Sequence, residues 1–182
     1  MNLLDAVKVY RYDAGPIMDA IRRVPETEWR KHTWYNPATN GFHSEPDKEL
    51  DVYGPPQDWE AAPACEAIVQ AALQSYCDEL MPHATIHHAS PIRLNRYNTG
   101  TVMRIHSDHI HSLFDGNRKG LPAVSLVANL NDDYRGGEFV IAGEVVPLGA
   151  GDVIVFPSCF LYPHEVLEVT QGTRYSFVSW AW

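Results

Sequence analysis

Cysteine is scarce in this chain. Cys65, Cys77 and Cys159 are the only three in 182 residues, an odd number with no C-x-x-C pair. Such a set excludes a disulfide framework and a cysteine-built zinc site, and the expectation is reduced thiols in a cytoplasmic setting. Basic residues are few as well: 14 Lys plus Arg stand against 23 Asp plus Glu, a formal charge of -9. A surface of that sign repels phosphate backbones, so a nucleic-acid partner is disfavoured. No apolar run approaches the ~18 residues of a membrane helix. Asp5 and Lys8 interrupt the opening "MNLLDAVKVYRYDAG" too early for a secretory signal, and none is expected. No repeat or low-complexity stretch stands out. What is present is 45% apolar and 20% charged residues, the balance of a chain that buries a core. The expectation is one domain over residues 1–182.

The character of the chain changes near residue 88. Residues 1–87 read as helices and loops that support the second half. Residues 5–11 are a candidate short strand. Residues 16–30 begin as a helix, with Pro16 in the first turn, where proline is tolerated, and Pro25 as the breaker. Residues 31–57, rich in Pro, Gly and Asn, read as a long loop with at most a short strand. Loops of that length are often functional, so this one is a candidate lid, with Trp34, Tyr35 and Tyr53 as aromatic contacts. Over residues 58–80, Trp59, Ala62, Cys65, Ile68, Val69, Ala72, Leu73, Tyr76 and Leu80 recur every three or four positions. That spacing makes one apolar face, the mark of a helix that buttresses a sheet. Beyond Pro82 come "SPIRLNRY", "AVSLVANLN", "GGEFVIA", "EVVPL", "GDVIVFPS", "HEVLEV" and "TRYSFVSWAW". Short β-rich runs divided by turn residues predict a mainly β sandwich or barrel.

One stretch holds an unusual density of metal-ligand residue types: "RIHSDHIHSLFD", from Arg104 to Asp115. If "VMRIHSD" is extended, His106 and Asp108 lie on one face. His164, at the head of "HEVLEV", is the candidate third ligand. Two histidines and a carboxylate on a rigid sheet leave positions open on an octahedral ion, which is what a non-haem iron(II) oxygenase requires. A His-x-Asp pair is equally compatible with a surface turn. His109 and His111 fall on the opposite face and read as loop residues near the mouth of such a site, in a second candidate rim over 109–120. Arg174 follows His164 by ten residues, one hairpin further along. A guanidinium there suits the far carboxylate of a doubly negative oxo acid held by the metal, although a surface ion pair with some glutamate would also account for it. Ser176 and Trp180 alternate onto the face of Arg174.

Taken together, "YNTGTVMRIHSD", "LNDDYRGGEF", "GDVIVFPS", "YPHEV" and "GTRYSFVSW" resemble, in order and spacing, the iron(II)/2-oxoglutarate dioxygenases of the prolyl 4-hydroxylase-like group. The resemblance covers residues 88–182. It implies an α+β, mainly β protein whose core over 88–182 is a double-stranded β-helix (a jelly-roll, cupin-like fold) with N-terminal supporting helices. By residue, His106, Asp108 and His164 match the iron ligands, and Arg174 matches the partner of the 5-carboxylate of 2-oxoglutarate. Tyr97 matches a strand tyrosine along the cosubstrate pocket, and Trp180 a pocket-lining aromatic. Asn129 and Met103 stand where relatives carry tyrosines, one of which helps to hold the far carboxylate. "GGEF" matches a turn and strand entry. Related halogenases lack the carboxylate that Asp108 supplies, so hydroxylation is implied.

The resemblance therefore implies an enzyme: Fe(II), 2-oxoglutarate and O2 as cofactors and cosubstrates, ascorbate as an accompanying reductant, and a peptidyl residue, proline among them, or a free amino acid or similar small molecule as substrate. Two other readings stay open at this stage. One is a non-catalytic cupin-like metal-binding sensor, and the other an oxygenase acting on nucleic-acid bases. Neither oligomeric state nor the substrate can be read from these residues.

Overall fold

The computed structural model describes residues 2–36, 38–108 and 122–182, and the first half supplies strands to the same sheet as the second. A 3-10 turn at Leu3–Ala6, capped by the Asn2 side chain, leads into β1 (Lys8–Arg11). Helix α1 (Gly15–Ile21) carries a proline in its first turn and stops short of Pro25, which caps a second 3-10 turn at Glu26–Glu28. Then come β2 (Arg30–Lys31), β3 (Trp34–Asn36), β4 (Gly41–His43) and β5 (Asp51–Tyr53), followed by α2 (Ala62–Leu80). The second half supplies β6 (Arg93–Asn98), β7 (Met103–His106), β8 (Val124–Asn129), β9 (Arg135–Gly136) and β10 (Phe139–Ile141). It continues with β11 (Glu144–Val146), β12 (Asp152–Pro157), β13 (His164–Val166), β14 (Val169–Gln171) and β15 (Thr173–Ala181).

Two antiparallel sheets dominate. The larger runs β1-β12-β8-β15-β6-β5-β2, and the smaller β11-β10-β13-β7. They face each other as the double-stranded β-helix expected from the sequence. The central strands β8, β12 and β15 of the larger sheet are buried on both faces. Leu94, Leu126, Val153, Val155 and Phe177 pack outward with Ile17, Cys65, Val69, Ala72 and Tyr76 of the helices. Tyr97, Val127, Ile154, Phe156 and Val178 point inward and meet Phe139, Ile141, Val166 and Val169. A sheet covered on both sides needs near-continuous apolar sequence, which is why β8 and β12 read as "VSLVAN" and "DVIVFP". Helix α2 presents the stripe expected of it, Ala62, Cys65, Ile68, Val69, Ala72, Leu73 and Tyr76 being buried. Burial pushes the Cys65 thiol up to about 12, so it is an inert core group. No helix among the described residues is long and apolar enough to cross a membrane.

Three sequence expectations are corrected. The run 5–11 is strand only from Lys8, the turn before it being 3-10. The helix beginning near Pro16 ends at Ile21. Residues 31–57 are not one long loop: β3 and β4 form a hairpin, and β5 joins β6 as the larger sheet extends. The reason is a polar cluster no local pattern reveals. Asp51 accepts from Arg96 Nη2 at 2.9 Å and from Asn98 Nδ2 at 2.8 Å, and pairs with Lys31 Nζ at 2.9 Å. Arg96 also spans to Glu26 at 2.6 Å and lies over the Trp29 ring. These contacts tie the N-terminal segment to β6. Two of the expected lid aromatics are spent on packing, Trp34 stacking on His43 and Tyr53 leaning on Trp29, and the Tyr35 side chain lies outside the described residues.

Candidate metal centre

The smaller sheet builds the centre. Antiparallel pairing of β13 with β7 sets His164 directly opposite His106, and such cross-strand neighbours touch through their side chains. Their ring centroids are 4.3 Å apart. Asp108 follows β7 and turns its carboxylate between the two rings, Oδ1 lying 3.8 Å from His106 Nε2 and Oδ2 3.7 Å from His164 Nε2. Ligand atoms of His106, Asp108 and His164 all lie within 4.8 Å of one another. Each histidine orients its ring in the same way: His106 Nδ1 meets the Arg104 carbonyl at 2.8 Å, and His164 Nδ1 meets the Tyr162 carbonyl at 3.1 Å. A carbonyl can only accept, so Nδ1 carries the proton and Nε2 keeps its lone pair for a metal. Ser125 donates to Asp108 Oδ2 at 2.5 Å and lies 2.6 Å from the Ser158 hydroxyl, which holds the carboxylate in place.

The environment is graded. His164 is sealed between Phe139 and Phe156, and burial lowers its pKa, keeping the imidazole neutral as a ligand must be. The His106 side chain retains 36% exposure against 6% for His164, so the centre opens on the His106 side. His109, His111 and the expected rim over 109–120 lie outside the described residues.

Arg174 comes from the larger sheet, opposite Tyr97 on β6. It is 1% exposed, and among the described residues its Nε and Nη2 have no hydrogen-bond partner. Its Nη1 reaches Ser176 Oγ at 3.4 Å and its guanidinium lies over the Tyr97 ring. Burial raises the pKa of Tyr97, so it stays a phenol. Unpaired buried guanidinium donors are costly, and an incoming carboxylate satisfies both at once. The histidine–carboxylate donor set and these orphaned donors fit Fe(II) and 2-oxoglutarate respectively.

Asn129 is redirected. Its Nδ2 donates to the Asn131 carbonyl at 2.8 Å, and its Oδ1 accepts from Tyr134 at 3.1 Å. Fully buried and occupied by its own turn, it has no donor to spare for a cosubstrate, and Tyr134 stands beside it. Met103 packs against the inner core. Trp180 lies under a guanidinium the sequence reading passed over, that of Arg93. Arg93 and Asn95 occupy alternate positions of β6 with Tyr97, and Ser125 sits on the inward row of β8 with Val127. Extending the period of two from Tyr97 and Val127 would have found them. His32 is hydrogen-bonded to Glu49 at 3.3 Å, and burial first, then the charge of Arg93, lowers its pKa.

Among the described residues, a depression of about 990 Å³ runs along α2 and residues 82–92 and touches none of the three ligands. A smaller one of about 260 Å³ reaches Arg174 between Tyr134, Gly137, Phe139 and Leu148.

Comparison with known proteins agrees with this geometry. The 2OG-Fe(II) oxygenase superfamily profile matches residues 92–182. A PKHD-type hydroxylase of Rippkaea orientalis is 30% identical over 179 residues, 92% of this chain and 72% of the relative. A PKHD-type hydroxylase of Picosynechococcus is 36% identical over 126 residues, 65% of this chain, and the match spans only about half of that relative, 53%. In fold, the chain is similar to a Trichoplax adhaerens prolyl hydroxylase solved with a hypoxia-inducible-factor peptide fragment, with a TM-score of 0.74 at 16% identity, covering 100% of this chain and 86% of the other. A Pseudomonas putida prolyl-4-hydroxylase aligns with a TM-score of 0.69 at 20% identity, over 98% and 96% of the two chains. The chain belongs to the 2OG-Fe(II) oxygenase superfamily. Fe(II), 2-oxoglutarate and O2 are the cofactor and cosubstrates of that family.

Proposed function

We propose that this chain hydroxylates an unactivated C–H bond of a peptidyl residue, proline among them, or of a free amino acid or similar small molecule. One oxygen atom of O2 goes to the substrate as hydroxyl, and the other leaves in succinate as 2-oxoglutarate loses CO2. The observation that carries this reading is the pairing of two incomplete groups in one interior. The ligand atoms of His106, Asp108 and His164 converge, and Arg174, on the facing sheet, presents two buried donors with no partner. A metal-binding sensor would need the first and has no use for the second.

In this reading His106, Asp108 and His164 hold iron(II), and Arg174, steadied by Ser176 and Tyr97, grips the far carboxylate of 2-oxoglutarate. Bound iron(II) supplies the O2 chemistry that no protein side chain offers. The protein positions and insulates. Phe139 and Phe156 close the side behind His164, Ser125 fixes the carboxylate of Asp108, and the half-open His106 side admits the substrate.

The test is succinate release with Fe(II), ascorbate and 2-oxoglutarate over a panel of peptides and free amino acids, with mass spectrometry of the product. Succinate equal to product gaining one oxygen atom is the expected result, abolished by Asp108→Gly. Undiminished turnover in Asp108→Gly, or saturable metal binding without any 2-oxoglutarate binding, would overturn the reading.

A further inference from the structure

The interior holds a second guanidinium that the chemistry above does not use. Arg93 lies on the inward row of β6, four residues from Tyr97 and so ~13 Å along the strand from the level of Arg174. It pairs across the sheet with Val178, its guanidinium stacks on Trp180 5.3 Å from the ring centroid, and its Nε donates to Asn95 Oδ1 at 3.1 Å. Among the described residues it has no carboxylate partner. Burial lowers its pKa, and the charge of Asp108 offsets this only in part, yet an arginine stays charged. Asn95 is 1% exposed, and among the described residues its Nδ2 has no hydrogen-bond partner. Flipping that amide would not help, because Nε needs the oxygen. Trp180, under the Arg93 guanidinium, pairs with Ser125 across β15 and β8, and Ser125 donates to Asp108, so Arg93 and Asn95 form a donor pair on the iron side of the chamber.

The charges of the described groups indicate what the pair awaits. Iron(II), Asp108, doubly negative 2-oxoglutarate and Arg174 cancel to zero, with neutral histidines. Arg93 adds one positive charge that these groups leave unbalanced. Asp108, the carboxylate whose field Arg93 feels, is committed to Ser125 and the metal centre. Glu49 hydrogen-bonds His32, and among the described residues no ion pair joins it to Arg93. A half-buried guanidinium on the same side of the chamber as a dication is unfavourable until an anion joins it. The far carboxylate of 2-oxoglutarate is a strand's length away, at Arg174.

We propose that Arg93, braced by Asn95 and Trp180, is the receptor for a carboxylate on the substrate, and that the substrate is a free α-amino acid rather than a residue inside a peptide chain. This rests on the oxygenase reading and narrows it. Arg93 then acts as the specificity residue: the acid's carboxylate takes the Nη donors of Arg93 and the orphaned Nδ2 of Asn95, and its side chain is presented to the metal.

The test reads binding without turnover. Anaerobic Fe(II) protein is loaded with 2-oxoglutarate, and its visible charge-transfer band is followed as the proteinogenic L-amino acids, their carboxamides, and end-blocked peptides containing the same residues are added. At least one free acid should perturb the band, with its carboxamide weaker by about 30-fold or more, the scale of leaving one side of a desolvated charge pair unpartnered. Arg93→Met should lose that discrimination while 2-oxoglutarate affinity stays within about threefold, and Arg93→Lys should recover part of it. Circular dichroism checks the fold of both variants. Equal binding of acid and carboxamide overturns the proposal. So does perturbation by an end-blocked peptide and by no free acid, or a parallel loss of 2-oxoglutarate binding in both Arg93 variants. Absence of any band with 2-oxoglutarate alone instead removes the oxygenase reading beneath it.

Discussion

Arg174 carries the heaviest obligation of any single residue. Its stem is packed, its ring neighbour is Tyr97, and two of its donors are unsatisfied. Truncating one partner of such a buried charge pair costs roughly 2–5 kcal/mol. Arg174→Ala should therefore weaken 2-oxoglutarate binding by about 30-fold or more. Metal affinity should change little, because Arg174 is not among the converging ligands. Arg174→Lys should fall between, keeping the charge and losing the fork. Titrating 2-oxoglutarate against the anaerobic Fe(II) protein checks all three, and equal affinity in wild type and Arg174→Ala would remove Arg174 as the anchor. Gly137 guards the same side chain. It adopts φ +68, and a methyl group there would stand 3.2 Å from Arg174 Cδ, 3.3 Å from Tyr134 and 2.9 Å from Val169. Strain of that kind costs on the order of 1–3 kcal/mol. Gly137→Ala should lower both the melting temperature and 2-oxoglutarate affinity, whereas an effect on melting temperature alone would show that Arg174 is undisturbed.

At the scale of elements, the edge strand β1 is held to β12 by an ionic clamp as well as by the ladder. Arg11 forks onto Asp152 at 2.7 and 3.0 Å, and the Gly149 N–H donates to the same carboxylate at 2.7 Å. The Arg11 guanidinium, above all, holds the Asp152 pKa below its ordinary value, helped by the Gly149 N–H and against the opposing effect of burial. A carboxylate depressed on folding adds stability above its unfolded pKa and loses it as pH falls through the folded one. The contribution should be complete above the ordinary aspartate range, about pH 4, and should fade below it. Asp152→Asn should thus melt lower than wild type at pH 6, with the gap closing as pH drops below about 4. Thermal melts across that range decide it, and a gap independent of pH would show that the clamp works through packing alone.

For the molecule as a whole, the metal should act as a staple between the two strands of the smaller sheet and the turn after β7. A ligand that binds only the folded state at 100 times its Kd adds about 2.7 kcal/mol. For a chain of this length that is a rise of roughly 5–10 °C in melting temperature. Mn(II), which resists oxidation, should produce that rise over EDTA-treated protein, and His106→Ala should abolish it. An identical melt with and without Mn(II) would count against a metal centre at these three residues.

The sequence by itself determined the parts that obey local rules. The helix over Ala62–Leu80 follows from its three/four apolar spacing, and the mainly β second half from short apolar runs between turn residues. His106, Asp108, His164 and Arg174 could be singled out because metal and carboxylate chemistry admit few residue types, and their spacing placed them on strands. Only the tertiary structure decided which partners those residues meet. Nothing in "HSEPDKELDVYG" announces that Asp51 will collect Arg96, Asn98 and Lys31, since those contacts span the chain. Asn129, on the inward row of its strand, is claimed by the turn beside it. Arg93, unremarkable in "SPIRLNRY", becomes an unpaired charge beside the metal ligands only when β6 and β15 are paired and the smaller sheet closes over them. Periodicity is a property of neighbours along the chain, whereas the charge balance of the chamber belongs to groups brought together from four separate strands and the turn after β7.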